Sequence, residues 1–158
     1  MAEKRKYLIA MPDMAAFARA HRAAAIDMTQ TYLVMTNPNI ERRVRRQGSG
    51  AETLYFYTEK HLMPDGEKWD TERPISKKQY EKYLLERDTA LSPVHKTKYR
   101  FIFADRRCEI DVYPFSVEKA VLFQYGGEAP LPEEITVLEE VTAQPAYKNR
   151  ALAASQKL

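Results

Sequence analysis

Three short segments carry ionic side chains where a strand ordinarily presents apolar surface. They are Glu41-Arg42-Arg43-Val44-Arg45-Arg46, Thr58-Glu59-Lys60 and Lys96-Thr97-Lys98-Tyr99-Arg100. Successive side chains of a strand point to opposite faces. Glu41, Arg43 and Arg45 therefore share one face, as do Thr58 and Lys60, and Lys96, Lys98 and Arg100. Two readings are open. Charged alternate positions ordinarily form the solvated side of a half-buried antiparallel sheet. If these faces instead line the inside of a closed sheet, the interior is a basic tunnel suited to water and a polyanion.

Other chemistries find little footing. His21, His61 and His95 are scattered without metal-ligand spacing and are expected on the surface or in loops. They form no Ser-His-Asp arrangement. With five glycines the chain has no phosphate-cradling glycine-rich loop. Cys108 alternates with Glu109 and is expected to pack on the side away from the ionic face. Trp69, beside Asp70, is expected on the outer side beneath a helix.

The elements that must position these residues are short and evenly spaced. Strands are expected at about 3–9, 25–35, 40–47, 52–60, 67–74, 95–104, 107–113, 118–125 and 135–142. Asn37-Pro38-Asn39, Gly48-Ser49-Gly50 and Met63-Pro64-Asp65-Gly66 separate some of them as turns. Asp13 suits a helix N-cap before an Ala-rich run. Ser76 and Gln79 have capping-box spacing, and Tyr80, Tyr83 and Leu84 form the apolar stripe of a helix over 76–87. Residues 145–158, rich in Ala, suit a terminal helix. Many strands with few helices point to a barrel or sandwich.

At 158 residues the chain fits one domain, 1–158, with a sizeable core. Hydrophobic residues are 44% and charged residues 30%, as in a soluble globular protein. A net charge of +3 does not call for an extended nucleic-acid partner, so charge placement matters more than its sum. No apolar run reaches membrane-spanning length, and no signal-peptide apolar core follows the N-terminal Met1-Ala2-Glu3-Lys4-Arg5-Lys6. The single Cys108 fits a reducing, cytoplasmic setting.

The ordered pieces resemble the CYTH family, the triphosphate tunnel metalloenzymes. In order they are Arg5-Lys6-Tyr7-Leu8-Ile9, Gln30-Thr31-Tyr32-Leu33, Glu41-Arg42-Arg43-Val44-Arg45 and Tyr57-Thr58-Glu59-Lys60. Asp70-Thr71-Glu72-Arg73-Pro74-Ile75-Ser76, Lys96-Thr97-Lys98-Tyr99 and Glu109-Ile110-Asp111-Val112-Tyr113 follow. Glu140-Val141-Thr142 and Tyr147-Lys148-Asn149-Arg150-Ala151-Leu152-Ala153 close the series. The match covers nearly the whole chain and looks most like the small bacterial members. It implies a mainly β (α+β) fold, an eight-stranded antiparallel β-barrel tunnel with a few flanking helices. It also implies a nucleotide or polyphosphate ligand held by basic side chains, with acidic side chains holding divalent cations. Carried over, Lys6, Arg43, Arg45, Lys60, Lys96 and Lys98 are phosphate ligands, Lys98 standing where Arg is usual. The acids of the tunnel become Glu41, Asp70, Glu72, Glu109, Asp111 and Glu140.

The resemblance stops at two acidic pairs. The family opens on Glu-x-Glu-x-Lys; anchored on Lys6, this chain has Ala2 and Lys4 in place of the two glutamates, and Glu3 turns outward. The second pair is expected after Ala120-Val121-Leu122, where Phe123 and Tyr125 stand. Lys4 then reads either as an added phosphate ligand or as a side chain snorkelling to water. Phe123 and Tyr125 read as core packing or as base-stacking platforms. Magnesium needs hard oxygen ligands. The expectation is therefore a binder of a nucleotide, signalling nucleotide or polyphosphate that uses no cofactor and does not hydrolyse its ligand. The alternative is a triphosphatase acting on tripolyphosphate or nucleoside triphosphates with magnesium or manganese. An interaction module using the fold as scaffold is a third course. The ligand's base and a homo-oligomeric state stay open.

Overall fold

The computed structural model describes residues 3–48 and 50–158. Ala2, and Ser49 of the turn expected at 48–50, lie outside the described residues. Among those described, nine strands and three α-helices form a mainly β, antiparallel fold. The strands are β1 (Lys4–Ala10), β2 (Ala24–Tyr32), β3 (Ile40–Gln47), β4 (Leu54–Leu62), β5 (Lys68–Ile75), β6 (Val94–Phe103), β7 (Arg106–Val112), β8 (Lys119–Tyr125) and β9 (Val137–Glu140). The helices are α1 (Met14–His21), α2 (Lys77–Leu84) and α3 (Asn149–Ser155). No described helix is long and apolar enough to cross a membrane.

The chain divides into two compact units. The first holds residues up to 26, 96–152 and 156–158, and the second 27–95 and 153–155. In the first unit the strand order is β6-β7-β8-β1-β9. Alternation gives these strands one apolar and one ionic side. Tyr7, Ile9, Phe101, Cys108, Ile110, Ala120 and Leu122 form a core with Phe17 of α1. Asp13 caps α1 by accepting from the Ala16 N–H at 3.1 Å, and Arg22 ends it in the left-handed region at φ 53°. The cap aims Phe17 at the sheet, where its ring meets Phe101 edge-on at 5.1 Å. Burying such a ring contributes about 2–3 kcal/mol.

In the second unit the order is β5-β4-β3-β2. Leu33, Val44 and Tyr57 form its core with Tyr80 of α2, and Tyr55, Ile75, Tyr83 and Leu84 pack against them. The capping box is complete: Gln79 N–H donates to Ser76 Oγ, and Ser76 N–H donates to Gln79 Oε1. It starts α2 so that Tyr80, Tyr83 and Leu84 face the strands while Lys77, Lys78, Glu81 and Lys82 face water.

Three expectations change. The strand count is nine, not eight, and among the described residues the sheet order begins at β5, paired with β4, and ends at β9, paired with β1, in place of a closed barrel order. The helix expected over 145–158 is a 3-10 turn at Pro145–Tyr147 followed by the seven-residue α3. Trp69 lies under no helix. It is 46% exposed, because β5 is an edge strand open to water, and it stacks on the His61 ring at 4.1 Å.

Candidate functional site

Strand register assembles a buried ionic face in the first unit. Arg100 stands opposite Glu109, Glu109 opposite Phe123, and Phe123 opposite Lys6. In the next row Lys98 faces Asp111, Asp111 faces Val121, and Val121 faces Leu8. Paired residues lie on the same side of a sheet. Lys4, Lys6, Lys96, Lys98, Arg100, Glu109, Asp111, Phe123 and Tyr125 therefore share the side opposite the Phe17 core. Five of them are cationic and two are carboxylates.

Both carboxylates are engaged. Lys96 Nζ lies 2.9 Å from Asp111 Oδ2. Lys98 Nζ lies 3.0 Å from Asp111 Oδ1 and 3.1 Å from Glu109 Oε1. The Asp111 Oδ1 approach is close but not aligned as a hydrogen bond. Arg100 Nε donates to Glu109 Oε2 at 3.0 Å, and Tyr125 Oη donates to Glu109 Oε1 at 2.9 Å. Burial alone pushes both carboxyls up, but Lys98, Tyr125 and Arg100 hold Glu109 below the usual carboxylate range. Lys96 and Lys98 do the same for Asp111. Burial and Glu109 push the Tyr125 phenol up, so it stays a donor. Cys108, on the other face, is pushed up to about 11 by burial and then Glu109, which leaves it inert.

Lys6 is a cation held against the cost of burial. It is 8% exposed, and its ammonium donates to the Tyr147 carbonyl at 3.1 Å. Burial, then repulsion from Lys4, Lys96 and Lys148, brings it down to about 8, with Asp111 opposing. The two aromatic rings meet cations. Lys4, Lys6 and Lys98 Nζ lie 5.5, 5.3 and 5.2 Å from the Phe123 centroid. The Arg107 guanidinium lies 4.1 Å from the Tyr125 centroid.

The second unit carries its own ionic face. Tyr32, Arg43, Thr58 and Glu72 make one row across β2 to β5. Gln30, Arg45, Phe56 and Pro74 make another, and Glu41, Lys60 and Asp70 a third. Arg45 is anchored on three sides. Its Nη1 is 2.7 Å from Glu72 Oε1, its Nε donates to Gln47 Oε1 at 3.0 Å, and its guanidinium lies 4.6 Å from the Phe56 centroid. Thr58 Oγ1 also donates to Glu72 at 3.2 Å. Arg43 Nη1 reaches Tyr32 Oη at 3.5 Å, while Arg43 Nε and Gln30 Oε1 are buried without a hydrogen-bond partner. Here three cations, Arg43, Arg45 and Lys60, balance three acids, Glu41, Asp70 and Glu72. Asp70 and Glu72 are exposed on the edge strand.

Glu140 stands apart. It pairs with Tyr7 and so lies on the apolar side of β1, where Arg5 Nη1 donates to it at 3.2 Å and Thr142 Oγ1 at 2.7 Å. Sequence reading did not find the partners that hold the site. Gln47 was within reach, since it continues the alternation of Arg43 and Arg45. The Tyr147 carbonyl, a main-chain acceptor 141 residues from Lys6, leaves no trace in side-chain pattern. Arg107 over Tyr125 was likewise within reach, since it continues the alternation of Glu109 and Asp111 along β7.

Over 98% of this chain and 95% of the other, the structure is similar to the crystal structure of the inorganic triphosphatase NE1496, with 28% identity and a TM-score of 0.66. The fold is CYTH-like. Two proteins of Pyrococcus horikoshii OT3 share that fold. PH1819 has 12% identity and a TM-score of 0.53 over 80% of each chain. PH1012 has 13% identity and a TM-score of 0.51 over 84% of this chain and 82% of its own. No protein-family model and no curated protein matches the sequence. Against the CYTH-like pattern, Lys4 and Tyr125 face each other across β1 and β8, and Phe123 faces Lys6. Among the described residues no three His, Cys, Asp or Glu side chains converge as a metal site.

Proposed function

We propose that this CYTH-like protein binds a phosphate-rich anion, a nucleotide, signalling nucleotide or polyphosphate, on these ionic faces and does not hydrolyse it. One observation carries the reading: on the first unit's ionic face Lys4, Lys6, Lys96, Lys98 and Arg100, with Arg107 over Tyr125, meet two carboxylates, and lysines already hold both. The surplus charge complements an anion bearing two or three negative charges. Lys4, Lys6, Lys96 and Lys98 are the phosphate ligands of that face, and Arg43, Arg45 and Lys60 those of the second unit. The buried, unpartnered Nε of Arg43 supports a donor role, because buried donors ordinarily find an acceptor. The same donor set does not fit a divalent cation. Magnesium favours carboxylate oxygens beside the substrate phosphates. Here Lys4, Phe123 and Tyr125 occupy three positions of the family's acidic pairs, and Glu140 bonds Arg5 on the other side of β1.

A second reading is a metal-dependent triphosphatase with magnesium or manganese. The similarity to an inorganic triphosphatase along nearly the whole chain favours it. Calorimetric titration with tripolyphosphate, nucleoside triphosphates and cyclic dinucleotides, in magnesium and in chelator, separates the two, together with phosphate release. Binding that persists in chelator with negligible release is expected. Metal-dependent turnover on the order of 1 per second or faster, abolished by Asp111→Asn, restores the triphosphatase.

A further inference from the structure

We infer that Phe123 is a positioning residue, whose ring gathers the Lys4, Lys6 and Lys98 ammonium groups into one anion subsite. The inference rests on the phosphate-binding reading and names what builds that site. Three ammonium groups at 5.2 to 5.5 Å from one ring centroid lie within cation–π reach. They come from both sides of the ring: Lys4 and Lys6 from β1, which pairs with β8, and Lys98 from β6 beyond β7. A carboxylate at position 123 would attract them too, but would cancel one of their charges. A phenyl ring draws ammonium groups through its quadrupole and carries no net charge. The cluster thus keeps its positive charge for an incoming phosphate. Phe123, Lys6 and Lys98 are all buried, so water screens that lysine pair weakly, while Lys4 stands at the exposed edge. The ring's faces meet ammonium groups, which leaves base stacking the lesser use of this side chain.

A bound phosphate should then settle the proton on Lys6. The groups that face Lys6 are Lys4 from β1, Lys96, Lys98 and Arg100 from β6, Glu109 and Asp111 from β7, Tyr125 from β8, and Lys148 with the Tyr147 carbonyl from the segment after β9. Burial, and after it the excess of cations over acids among them, brings the ligand-free Lys6 ammonium down to about 8. An anion reverses that balance, and binding near pH 8 takes up a proton.

The test uses the full chain, tripolyphosphate in chelator, and the variants Phe123→Leu, Phe123→Tyr and Lys4→Gln. Wild type is expected to bind with proton uptake, read from calorimetry in buffers of different ionisation heat. Phe123→Leu should weaken binding about tenfold, a loss consistent with the cation–π contribution of a desolvated cluster. It should also lower the NMR titration midpoint of Lys6, because the ring stabilises the charged amine. Phe123→Tyr should restore both. Lys4→Gln, at an exposed position, should raise the Lys6 midpoint by removing a repulsion. If wild type fails to bind tripolyphosphate, the phosphate reading falls and the subsite with it. If wild type binds and Phe123→Leu matches it in affinity and Lys6 midpoint, only the role of Phe123 is overturned.

Discussion

The Lys96 ammonium sits 2.9 Å from Asp111 Oδ2, with 4% of the lysine side chain and none of the aspartate exposed. Burial on that scale makes each partner the condition of the other. A buried charge that loses its counter-charge keeps its desolvation cost and loses its compensation.

Asp111→Asn should therefore destabilise the protein by about 3–5 kcal/mol, measured by chemical denaturation at neutral pH. The pH dependence has a definite sign. Lys96 and Lys98 hold the Asp111 carboxyl below its ordinary value despite burial. Its contribution is present above the ordinary aspartate range and is lost as pH falls through the lowered value. The acid limb of the stability curve should be flatter in the variant. An acid limb as steep as in wild type would assign acid sensitivity to other carboxylates.

Lys6 has the opposite cost. Its amine titrates at about 8 in the fold against 10.5 for an unperturbed lysine. Between those values the unfolded chain binds more protons, so stability rises with pH across that window. Below about 8 the penalty of the buried ammonium is fully present. Lys6→Met should raise stability at pH 7 by about 2 kcal/mol, and the gain should shrink toward pH 10. A constant difference across that range would mean that packing, not charge, separates the two proteins.

Phosphate affinity should depend on which cation is removed. Arg45 is held by Glu72, Gln47 and Phe56 in a fixed orientation, whereas Lys77 lies on the exposed side of α2. Arg45→Ala should cost about tenfold or more in tripolyphosphate affinity, in line with a charged hydrogen bond of about 1.5–3 kcal/mol. Lys77→Ala should cost less than about twofold. Raising salt severalfold should weaken binding. Calorimetry on the two variants decides it, and equal losses would indicate diffuse attraction to a basic surface.

Local rules placed most elements without any structure. β3 occupies 40–47 as read, because Asn37-Pro38-Asn39 breaks the chain before it and alternation runs unbroken through it. The capping box of Ser76 and Gln79 was legible because both hydrogen bonds lie within one helical turn. Shared faces were legible for the same reason, since period two is a property of a single strand. The grouping of Lys96 with Lys98 and of Arg43 with Arg45 needed nothing more.

Tertiary structure alone decided which faces meet which partners. Lys98 bridges Glu109 and Asp111 because register sets β6 one step against β7. Glu140, grouped with the tunnel acids by resemblance, pairs with Tyr7 and Arg5 because β9 joins β1 with a shift between Leu8 and Ile9. A shift of one residue turns every following side chain to the other face, and no local pattern reports it. Phe123 and Tyr125 were ambiguous between packing and stacking, and only the arrival of Lys4, Lys6, Lys98 and Arg107 from other positions put cations over their rings. Sequence by itself determined the strands, their two-sided chemistry and the small surplus of lysine and arginine over carboxylate. Register and long-range packing decided which of those charges are neutralised, because ion pairing depends on distances across strands that lie far apart in the chain.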